Sequence, residues 1–562
     1  MITDSATTDQ AGHHVTQAVL AAAWREDLTG IRTHATTTGD TTTTTTGDGH
    51  RLRFTAHRHA FHQIHPYGPI LHNGQPIVEP GDLLHLLQPG ADTDELDDAV
   101  TGLTLALHRH RDIREDHRTT ATRYRATTSI ELAQRLRDTP DYSPCRHFEP
   151  LAVEGHHLHP GARTRLGWTH HDRLAHDLES RHTTRLRFLA ADRDLLITTG
   201  EPIDAHIAQW FPQLTPHLDD DHVIIPMHPW QYRHATTTSL RPLLRQGRLH
   251  PIDDLELPAE PTSSIRTLIT IGGHYLKCSL DIHITSTRRG ISPATAANGP
   301  VLSAMLANII EHDPRLAPNI TVLAEPAAVS LPDHHPAARE LTCILRQPLA
   351  AVCAPDELAV PATALTAHSP ISGQRIITEL IAATDLPTHQ FLHRYAKLLL
   401  DSTLHLAGAY GIGMEAHLQN CIPTFRHGHP HRIILRDLGG ARIHLPRLHA
   451  TGHHPNLHPA SVTVTTDIDR TRAKVAYTVL QNHLAAIVAA LTTDDAITPD
   501  TAWQVITDII TDLDIPTTDR DYYTAPNLPL KALLHMRLTD GPDHHIMVDN
   551  PLHRLDQSTL HP

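Results

Sequence analysis

The stretch SSIRTLITIGGHYLKCSLDIHITSTRRG, residues 263–290, carries the clearest fold signal in the sequence. Two runs of alternating and β-branched residues flank Gly272 and Gly273, and a two-residue glycine turn between such runs predicts a β-hairpin. Pairing outward from the turn sets Leu268 opposite Lys277, and facing residues share one side of a sheet. The sequence therefore predicts an antiparallel sheet in the middle of the chain.

The predicted hairpin has one polar face and one apolar face. The polar face collects Ser264, Arg266, Lys277, Ser279, Asp281, His283, Thr285, Thr287 and Arg289. A solvated outer face is the ordinary interpretation of such alternation. Three cations among small hydroxyl side chains favour a second interpretation, a face that binds phosphates or carboxylates. Lys277 is also one of only four lysines among 47 basic residues, which makes its position informative.

Helical and extended segments occur in blocks along the chain. Helical periodicity covers residues 14–29 and 81–138 and returns from about residue 388, whereas 181–330 is rich in strand-like runs. The threonine-rich segment THATTTGDTTTTTTGDGH, residues 33–50, predicts a flexible surface loop. The order of helical, mixed and helical blocks predicts an α+β protein of three lobes.

A second site signal lies in GMEAHLQN, residues 413–420. If this segment is a strand, Glu415, His417 and Gln419 point to one side and the apolar residues between them to the other. Periodicity alone fits a plain polar strand face as well as a ligand-binding role. A zinc site shared with the histidines of residues 427–431 is a further alternative, but the spacing matches no known zinc motif.

The next segment, CIPTFRHGHPHRIILRDLGG (residues 421–440), predicts a returning strand that ends at Asp437. Asn420 and Asp437 then supply a carboxamide and a carboxylate at neighbouring strand ends, and oxygen ligands of this kind suit Mg²⁺. Protein kinases use an Asn and an Asp in a similar way, which is an analogy only.

The composition limits the possible functions. The chain has 562 residues, 40% hydrophobic and 19% charged, which suits two to four domains. A formal charge of −15 and 4% aromatic residues argue against a nucleic-acid partner. Five scattered cysteines indicate a reducing compartment. The N-terminus lacks secretory features and no apolar run reaches bilayer-spanning length, so we expect a cytoplasmic protein without a membrane partner.

Six groups of residues, in this order, resemble the motifs of the IucA/IucC family, the nonribosomal-peptide-synthetase-independent (NIS) siderophore synthetases. They are EGHHLHPGARTRLG; IPMHPWQ; SSIRTL with LKCSLDIHITSTRRG and NGPVLSAML; GMEAHLQN; ILRDLGG; and LPLKALLHMRL. They run from about residue 154 to 540, so the resemblance covers most of the chain.

The resemblance implies a ligase that uses ATP and Mg²⁺. It would adenylate a carboxylate of citrate or a related acid, release pyrophosphate and condense the acid with an amine, hydroxylamine or alcohol. The implied fold is hand-like, with a helical thumb (1–155), fingers with an antiparallel sheet and an anion-binding face (156–387), and a mainly helical palm with a Mg-ATP-binding strand pair (388–562). A homodimer is usual in the family.

The resemblance also implies roles for individual residues. The implied ATP-binding residues are His156, Ser264, Arg266, Thr267, Lys277, Glu415, Gln419, Asn420 and Asp437. The implied substrate-carboxylate residues are Thr285, Thr287, Arg289 and His417; the catalytic residues are Lys277, Arg289 and His417; and the Mg²⁺ ligands are Asn420 and Asp437.

Two points depart from the family pattern. His157 and Arg163 stand where the family commonly has proline and lysine in HP-x-HP-x-x-K, which weakens the assignment of His156. The hairpin register places Thr267 on the apolar face, so a contact with ATP would need its backbone or a twist. The alternatives are another Mg-ATP enzyme with a kinase-like palm, a non-catalytic carboxylate- or siderophore-binding relative, and a zinc hydrolase.

Overall fold

The computed structural model of the chain describes residues 5–139, 142–180, 184–284, 287–539 and 544–553, with the backbone alone at 287 and 288. These residues form a mixture of helices and sheets, as predicted. The helices are α1 (Ser5–Arg25), α2 (Pro80–Leu87), α3 (Asp94–Tyr124), α4 (Ser129–Leu136), α5 (Pro144–Phe148), α6 (His170–His176), α7 (Ile203–Trp210), α8 (Pro229–Thr237), α9 (Arg241–Arg245), α10 (Pro293–His312), α11 (Ala362–Leu365), α12 (Ile376–Ala382), α13 (Thr388–Tyr410), α14 (Leu445–Ala450), α15 (Ile468–Val475), α16 (Ala485–Thr493), α17 (Pro499–Asp512), α18 (Thr517–Tyr523) and α19 (Leu533–Thr539).

The strands group into several sheets. They are β1 (Thr36–Thr38), β2 (Thr41–Thr45), β3 (Arg51–Arg58), β4 (Ile64–His72), β5 (Gln75–Ile77), β6 (Thr184–Asp192), β7 (Ile197–Gly200), β8 (His222–Met227), β9 (Leu249–Pro261), β10 (Thr267–Thr270), β11 (Tyr275–Cys278), β12 (His283–Ile284), β13 (Thr287–Arg288), β14 (Ile320–Val322), β15 (Ala327–Ser330), β16 (Thr342–Arg346), β17 (Leu358–Ala359), β18 (Ile412–Gly413), β19 (Cys421–Arg426), β20 (His429–Leu435), β21 (Arg442–His444), β22 (Val464–Thr465), β23 (Asn527–Lys531) and β24 (His545–Asp549).

The largest sheet has eight strands in the order β7-β15-β16-β11-β10-β9-β6-β8, and every pair in it is antiparallel. The predicted hairpin is its β10–β11 pair, but the predicted register is wrong by one residue: Thr267, not Leu268, faces Lys277. The cause is the turn, which has three residues closed by a hydrogen bond from Thr270 N to His274 O. Gly273 takes the left-handed conformation there (φ 80°), as such turns require.

Both faces of this hairpin are covered, so the solvated-face interpretation is wrong. Leu268 and Leu276 pack into the core on one side. Ile269 and Tyr275, which share the side of Lys277, pack into a second cluster with residues of β19 and β20. The paired strands begin at Thr267 and end at Cys278. Ser264, Arg266, Ser279 and Arg289 of the predicted polar face therefore lie outside these paired strands.

The strand pair β19–β20 belongs to a four-stranded sheet in the order β14-β20-β19-β17. The predicted strand over 413–420 is wrong. Only Ile412–Gly413 forms a strand in this stretch, and residues 418–420 form a 3₁₀ turn. The burial alternation survives nonetheless: Met414, Ala416 and Leu418 are buried, whereas the polar residues between them are partly exposed. Packing, rather than strand pairing, produces the pattern.

The N-terminal region contains a sheet as well as the predicted helices. Strands β1 to β5 form a five-stranded antiparallel sheet that includes the segment predicted as a threonine-rich loop, so that prediction is wrong. Thr42 and Thr44 are buried while their neighbours face outward. Threonine favours strands because its branched side chain packs well on a pleated surface, which outweighs the low complexity of the sequence.

One apolar segment does reach membrane-spanning length, contrary to expectation. Residues Ile468–Thr493 are helical, with a π-helical stretch over Ala476–Leu484 between α15 and α16. Of the most apolar window in this helix, 89% is buried inside the protein. Its hydrophobicity is thus accounted for by packing in the largest core cluster, which also takes residues from α10 and α13.

We expect the free energy of unfolding to fall as pH falls from 7.5 to 5.5. Burial lowers the pKa of His159 to about 3 and of His110, His176 and His483 to about 4. Their folded pKa lies below the unfolded value, so the unfolded chain binds more protons as pH drops below about 6.5. Each of these histidines therefore lowers the free energy of unfolding by about 1.4 kcal/mol at pH 5.5. This is a sizeable share of the net stability of a typical protein. Urea midpoints across this range test the prediction, and a constant midpoint would contradict it.

Candidate active site

Asp437 follows β20 and is surrounded by cations. Lys277 of β11 forms an ion pair with its Oδ1, and Arg346 Nη2 of β16 lies 3.3 Å from the same oxygen. Both cations are almost fully buried. Burial alone would raise the pKa of Asp437, but the charges of Lys277, Arg346 and Arg266 outweigh it and hold the pKa well below its usual value. Asp437 is therefore ionised at neutral pH.

Arg346 is fixed by a second carboxylate. Its Nη2 and Nε lie 2.7 and 3.2 Å from Glu325 Oε1, and each side chain is only 2% exposed. A buried guanidinium needs such a partner, because an unpaired buried charge is costly. Glu325 thus aims Arg346 at Asp437.

Two donors beside this cluster have no hydrogen-bond partner among the described residues. They are the buried Nε of Arg266 and the buried hydroxyl of Thr267. Arg266 Nη1 donates to the carbonyl of Arg289 at 2.9 Å. Burial, together with the charges of Arg266 and Arg165, lowers the pKa of Arg289 to about 10, so it remains a cation at neutral pH. These groups suit phosphate or carboxylate oxygens, which would supply the missing acceptors.

The loop that carries Ser264 is fastened to β20 by a buried ion pair. Arg436 Nη1 lies 2.7 Å from Glu149 Oε1, with exposures of 4% and 0%. Arg436 Nη2 donates to Ser263 Oγ at 3.1 Å, and Glu149 accepts from the Ser263 backbone N–H. The pair thereby holds the segment 263–266 against the strand that leads into Asp437.

Asn420 lies next to this strand end. Its carbonyl accepts from Arg436 N at 3.0 Å, which places it across the strand pair from the residue before Asp437. The Asn420 amide nitrogen donates to the carbonyl of Glu415 at 3.0 Å. This bond orients the side chain and leaves the amide oxygen for a ligand. The ionised Asp437 carboxylate and this oxygen form a donor set that fits Mg²⁺.

Glu415 is held between a lysine and a glycine. Its Oε1 lies 2.9 Å from Lys474 Nζ, and its Oε2 lies 4.0 Å from His417 Nε2. A Cβ at Gly440 would come within 1.9 Å of Glu415 Oε2, so a larger residue there would displace this carboxylate. Burial would raise the pKa of Glu415, but the charge of Lys474 and the nearby His417 lower it below its usual value. Glu415 is therefore a fixed carboxylate.

The histidine motif reaches the same cleft. Burial and the proximity of His417 and Arg25 lower the pKa of His156 to about 3. Burial also lowers the pKa of His417, against the opposing effect of Glu415. Both imidazoles are neutral at pH 7, so His417 can accept a proton. Arg163, which stands where the family has lysine, is buried and pairs with Glu179 at 2.6 and 3.2 Å.

Two further predicted site residues, Gln419 and Ser264, make hydrogen bonds through backbone atoms. Gln419 is partly exposed, and its carbonyl accepts from Arg436 Nε at 2.9 Å. Ser264 is partly exposed, and its backbone N–H donates to Thr262 Oγ1 at 3.1 Å. Thr285 lies outside the described residues, and so does the side chain of Thr287.

The structure gives no support to zinc at 415–431. His431 pairs with Glu357 at 3.1 Å, and His429 contacts Arg394 at 3.2 Å. Among the described residues, the group of three histidine and carboxylate side chains that could hold a metal ion lies elsewhere, in the eight-stranded sheet.

Sequence reasoning missed four partners of the site: Arg346, Glu325, Lys474 and Glu149. Lys474 had a usable signal, because lysine is so rare in this chain. Arg346 ends a strand whose residues are all buried, and an arginine in such a run is itself a sign of a buried ion pair. Glu149 and Glu325 carry no local pattern that marks them.

Comparisons with known proteins match two parts of the chain to family models and most of its length to named synthetases. Residues 144–367 match the family model described as IucA / IucC family. Residues 389–546 match the model described as ferric iron reductase FhuF-like transporter. The chain is 26% identical over 448 residues to the staphyloferrin A synthase of Staphylococcus aureus, covering 75% of this chain and 74% of that protein.

Two further proteins match most of the chain. The D-ornithine–citrate ligase of S. aureus is 26% identical over 469 residues, covering 72% of this chain and 70% of the ligase. The solved structure of ATP-bound aerobactin synthetase IucA from Klebsiella pneumoniae superposes with a TM-score of 0.73 at 18% identity, covering 96% of this chain and 99% of that one. The structural match extends over nearly the whole chain and identifies the fold.

Proposed function

Because the chain belongs to the IucA/IucC family of NIS siderophore synthetases, we propose that it is an ATP-dependent ligase. It activates a carboxylate of citrate or a related acid as an adenylate and condenses it with an amine, hydroxylamine or alcohol. The observation that carries the proposal is the buried set of cations around Asp437, with two donors left without partners beside it.

The cations and unpartnered donors are proposed to hold the phosphates of ATP. Lys277, Arg266 and Thr267 line one side, and the segment that carries Ser264 is tied to β20 by the Glu149–Arg436 pair. Charge that develops on phosphorus would meet fixed positive groups, which need no reorganisation during the reaction. His156, Glu415 and Gln419 are proposed to complete the nucleotide side.

Asn420 and Asp437 are proposed to hold Mg²⁺, which when bound would neutralise phosphate charge. The fit rests on two oxygen donors at one strand end, one ionised and one oriented by a hydrogen bond. Lys277 and Arg346 both contact Oδ1 of Asp437, so its Oδ2 is the oxygen available to a metal.

Arg289 is proposed to bind the substrate carboxylate, together with Thr285 and Thr287. Its guanidinium stays charged at neutral pH and can hold a carboxylate in two-point geometry. A carboxylate fixed this way is oriented for attack on the α-phosphorus. His417, neutral and near Glu415, is proposed to take the proton that the incoming nucleophile releases.

The thumb, fingers and palm organisation, with the bounds 1–155, 156–387 and 388–562, remains a proposal that the element order supports. The largest core cluster contains residues on both sides of 387, so the last two parts share a core. A cytoplasmic homodimer is likewise proposed from the family. The match to a reductase-like transporter leads to no redox proposal, because its segment contains one cysteine, Cys421, and iron–sulfur clusters need several thiolates.

Asp437→Asn is expected to weaken the use of Mg²⁺ more than the binding of the carboxylic acid. The change removes the charge that would hold the metal and leaves Lys277 and Arg346 without their shared partner. We expect the Mg²⁺ concentration for half-maximal activity to rise at least about tenfold, within the range seen when supporting metal contacts are removed. A Mg²⁺ titration of pyrophosphate release measures this. An unchanged titration would remove Asp437 from the metal site.

The proposed function is tested by pyrophosphate release from ATP across a panel of acids and nucleophiles. Citrate, 2-oxoglutarate and succinyl derivatives should be combined with polyamines, hydroxylamines and amino alcohols. We expect release that depends on both the acid and Mg²⁺. Release of ADP instead would favour a kinase-like enzyme, and binding of an acid without turnover would favour a non-catalytic relative.

A further inference from the structure

Asp192, His222 and His250 come together on three neighbouring strands of the eight-stranded sheet. Asp192 ends β6, His222 begins β8 directly opposite it, and His250 lies on β9 opposite Ala190. Residues that face each other share one side of a sheet, and so do alternate residues along a strand. All three side chains therefore lie on the same face, while the residues between them, such as Ala191 and Val223, enter the core on the other.

The distances in this cluster leave a gap. His222 Nε2 and His250 Nε2 lie 3.6 and 3.9 Å from Asp192 Oδ1, which is too long for good hydrogen bonds. The three ligand atoms all lie within 4.8 Å of one another. Ligands of a tetrahedral site with bonds of about 2.0 Å are about 3.3 Å apart. The two edges to Asp192 exceed this spacing by a few tenths of an ångström, and the edge between the two imidazoles is no longer than 4.8 Å, so small side-chain movements would bring the trio to metal-site spacing.

A second layer of contacts points the ligand atoms at this gap. Asp219 forms a hydrogen bond with the other ring nitrogen of His222: its Oδ2 and Oδ1 lie 2.9 and 3.0 Å from Nδ1. With Nδ1–H donated to Asp219, the Nε2 lone pair faces Asp192. Arg248 pairs with Oδ2 of Asp192 and also with Asp194 at 2.7 Å. Oδ1 of Asp192 is thereby left to face both imidazoles, an arrangement typical of metal sites.

We propose that Asp192, His222 and His250 bind a divalent first-row transition-metal ion, with solvent as the remaining ligand. Two imidazoles and one carboxylate suit zinc and its neighbours, whereas Mg²⁺ and Ca²⁺ prefer oxygen ligands. His250 is about half exposed, so the ion has access from solvent. The ion would join β8, β6 and β9, and β6 lies three strands from β11, which carries Lys277. The site is therefore separate from the proposed ATP site and does not depend on the proposed function.

The test uses the untagged full chain with zinc alone as the probe. The change His222→Gln with His250→Gln should lower the zinc bound at equilibrium dialysis by one equivalent. Zinc should raise the Tm of the unsubstituted chain by at least about 2 °C and leave that of the double variant unchanged, because an ion that binds only the folded state stabilises it. Cobalt should give the absorption of a four-coordinate site in the unsubstituted chain only.

The matched control replaces two exposed histidines outside the cluster, His312→Gln with His389→Gln. It should keep both the zinc equivalent and the rise in Tm. Equal losses in the two double variants would mean that this histidine-rich surface binds zinc without a defined site, which overturns the proposal. No zinc effect on the unsubstituted chain would overturn it as well. Asp192→Asn, which keeps the side-chain volume, is the second variant if the first folds poorly.

Discussion

Lys277→Ala is expected to lower the rate of adenylate formation by at least about 100-fold. Loss of a single fixed donor to a developing charge costs about 10²–10³ in rate in well-studied enzymes. Lys277 is 4% exposed and pairs with Asp437, so its proposed phosphate contact and its contact with the proposed metal ligand would be lost together. Lys277→Arg is not expected to restore activity, because a planar guanidinium does not reproduce a compact ammonium.

The control is Lys397→Ala, since Lys397 is half exposed and pairs with Asp401 on the same helix at 3.6 Å. It should change neither activity nor stability measurably. Asp437 keeps Arg346 at 3.3 Å when Lys277 is removed. The folded state should therefore survive, and circular dichroism can verify this. Full acid-dependent pyrophosphate release from folded Lys277→Ala would show that the site assignment is wrong.

Glu149→Ala is expected to destabilise the protein by about 3–5 kcal/mol, the cost of leaving one member of a buried ion pair alone. Among the residues that the structure describes, the side chain of Arg436 would retain only neutral partners: the carbonyl of Gln419, the hydroxyl of Ser263 and the thiol of Cys145. The segment 263–266 would also lose the hydrogen bond that the Ser263 backbone N–H donates to Glu149. We expect the KM for ATP to rise in any protein that remains folded.

Urea denaturation of Glu149→Ala beside Glu115→Ala measures the effect. Glu115 is exposed and lies 4.0 Å from Arg118 on the same helix, so its loss should stay within about 0.5 kcal/mol. Glu149→Gln keeps the hydrogen-bonding capacity without the charge and should fall between the two. Equal stability of Glu149→Ala and Glu115→Ala would exclude the proposed role of the pair.

The sequence predicted the central hairpin but not its register. Gly272 and Gly273 marked the turn correctly, yet the choice between a two- and a three-residue turn depends on which glycine takes positive φ. The three-residue turn places Thr267 on the same side of the sheet as Lys277. The predicted register had placed Thr267 on the apolar face, in conflict with its expected contact with ATP. The alternation in GMEAHLQN likewise marked buried and partly exposed residues correctly, although no strand forms over 414–417.

The partners of the site residues could not be predicted because they lie far apart in the chain. Lys277 and Asp437 are 160 residues apart, and each separate motif gave no sign of the other. Glu325 and Glu149 lie outside any pattern that distinguishes a buried carboxylate from a surface one. Residues with an unusual identity could be identified, as Lys277 was and Lys474 should have been. Residues that matter only through a contact with a residue far away in the sequence can be identified only once the fold is known.

The identity of the nucleotide products formed with citrate and Mg-ATP tests the central claim most directly. The account predicts AMP and pyrophosphate in equal amounts, dependent on the acid, with the activated carboxyl trapped by hydroxylamine as a hydroxamate. Lys277→Ala should lose both products together. Formation of ADP and phosphate, or hydroxamate formation without ATP, would contradict the assignment of this chain as an adenylate-forming ligase.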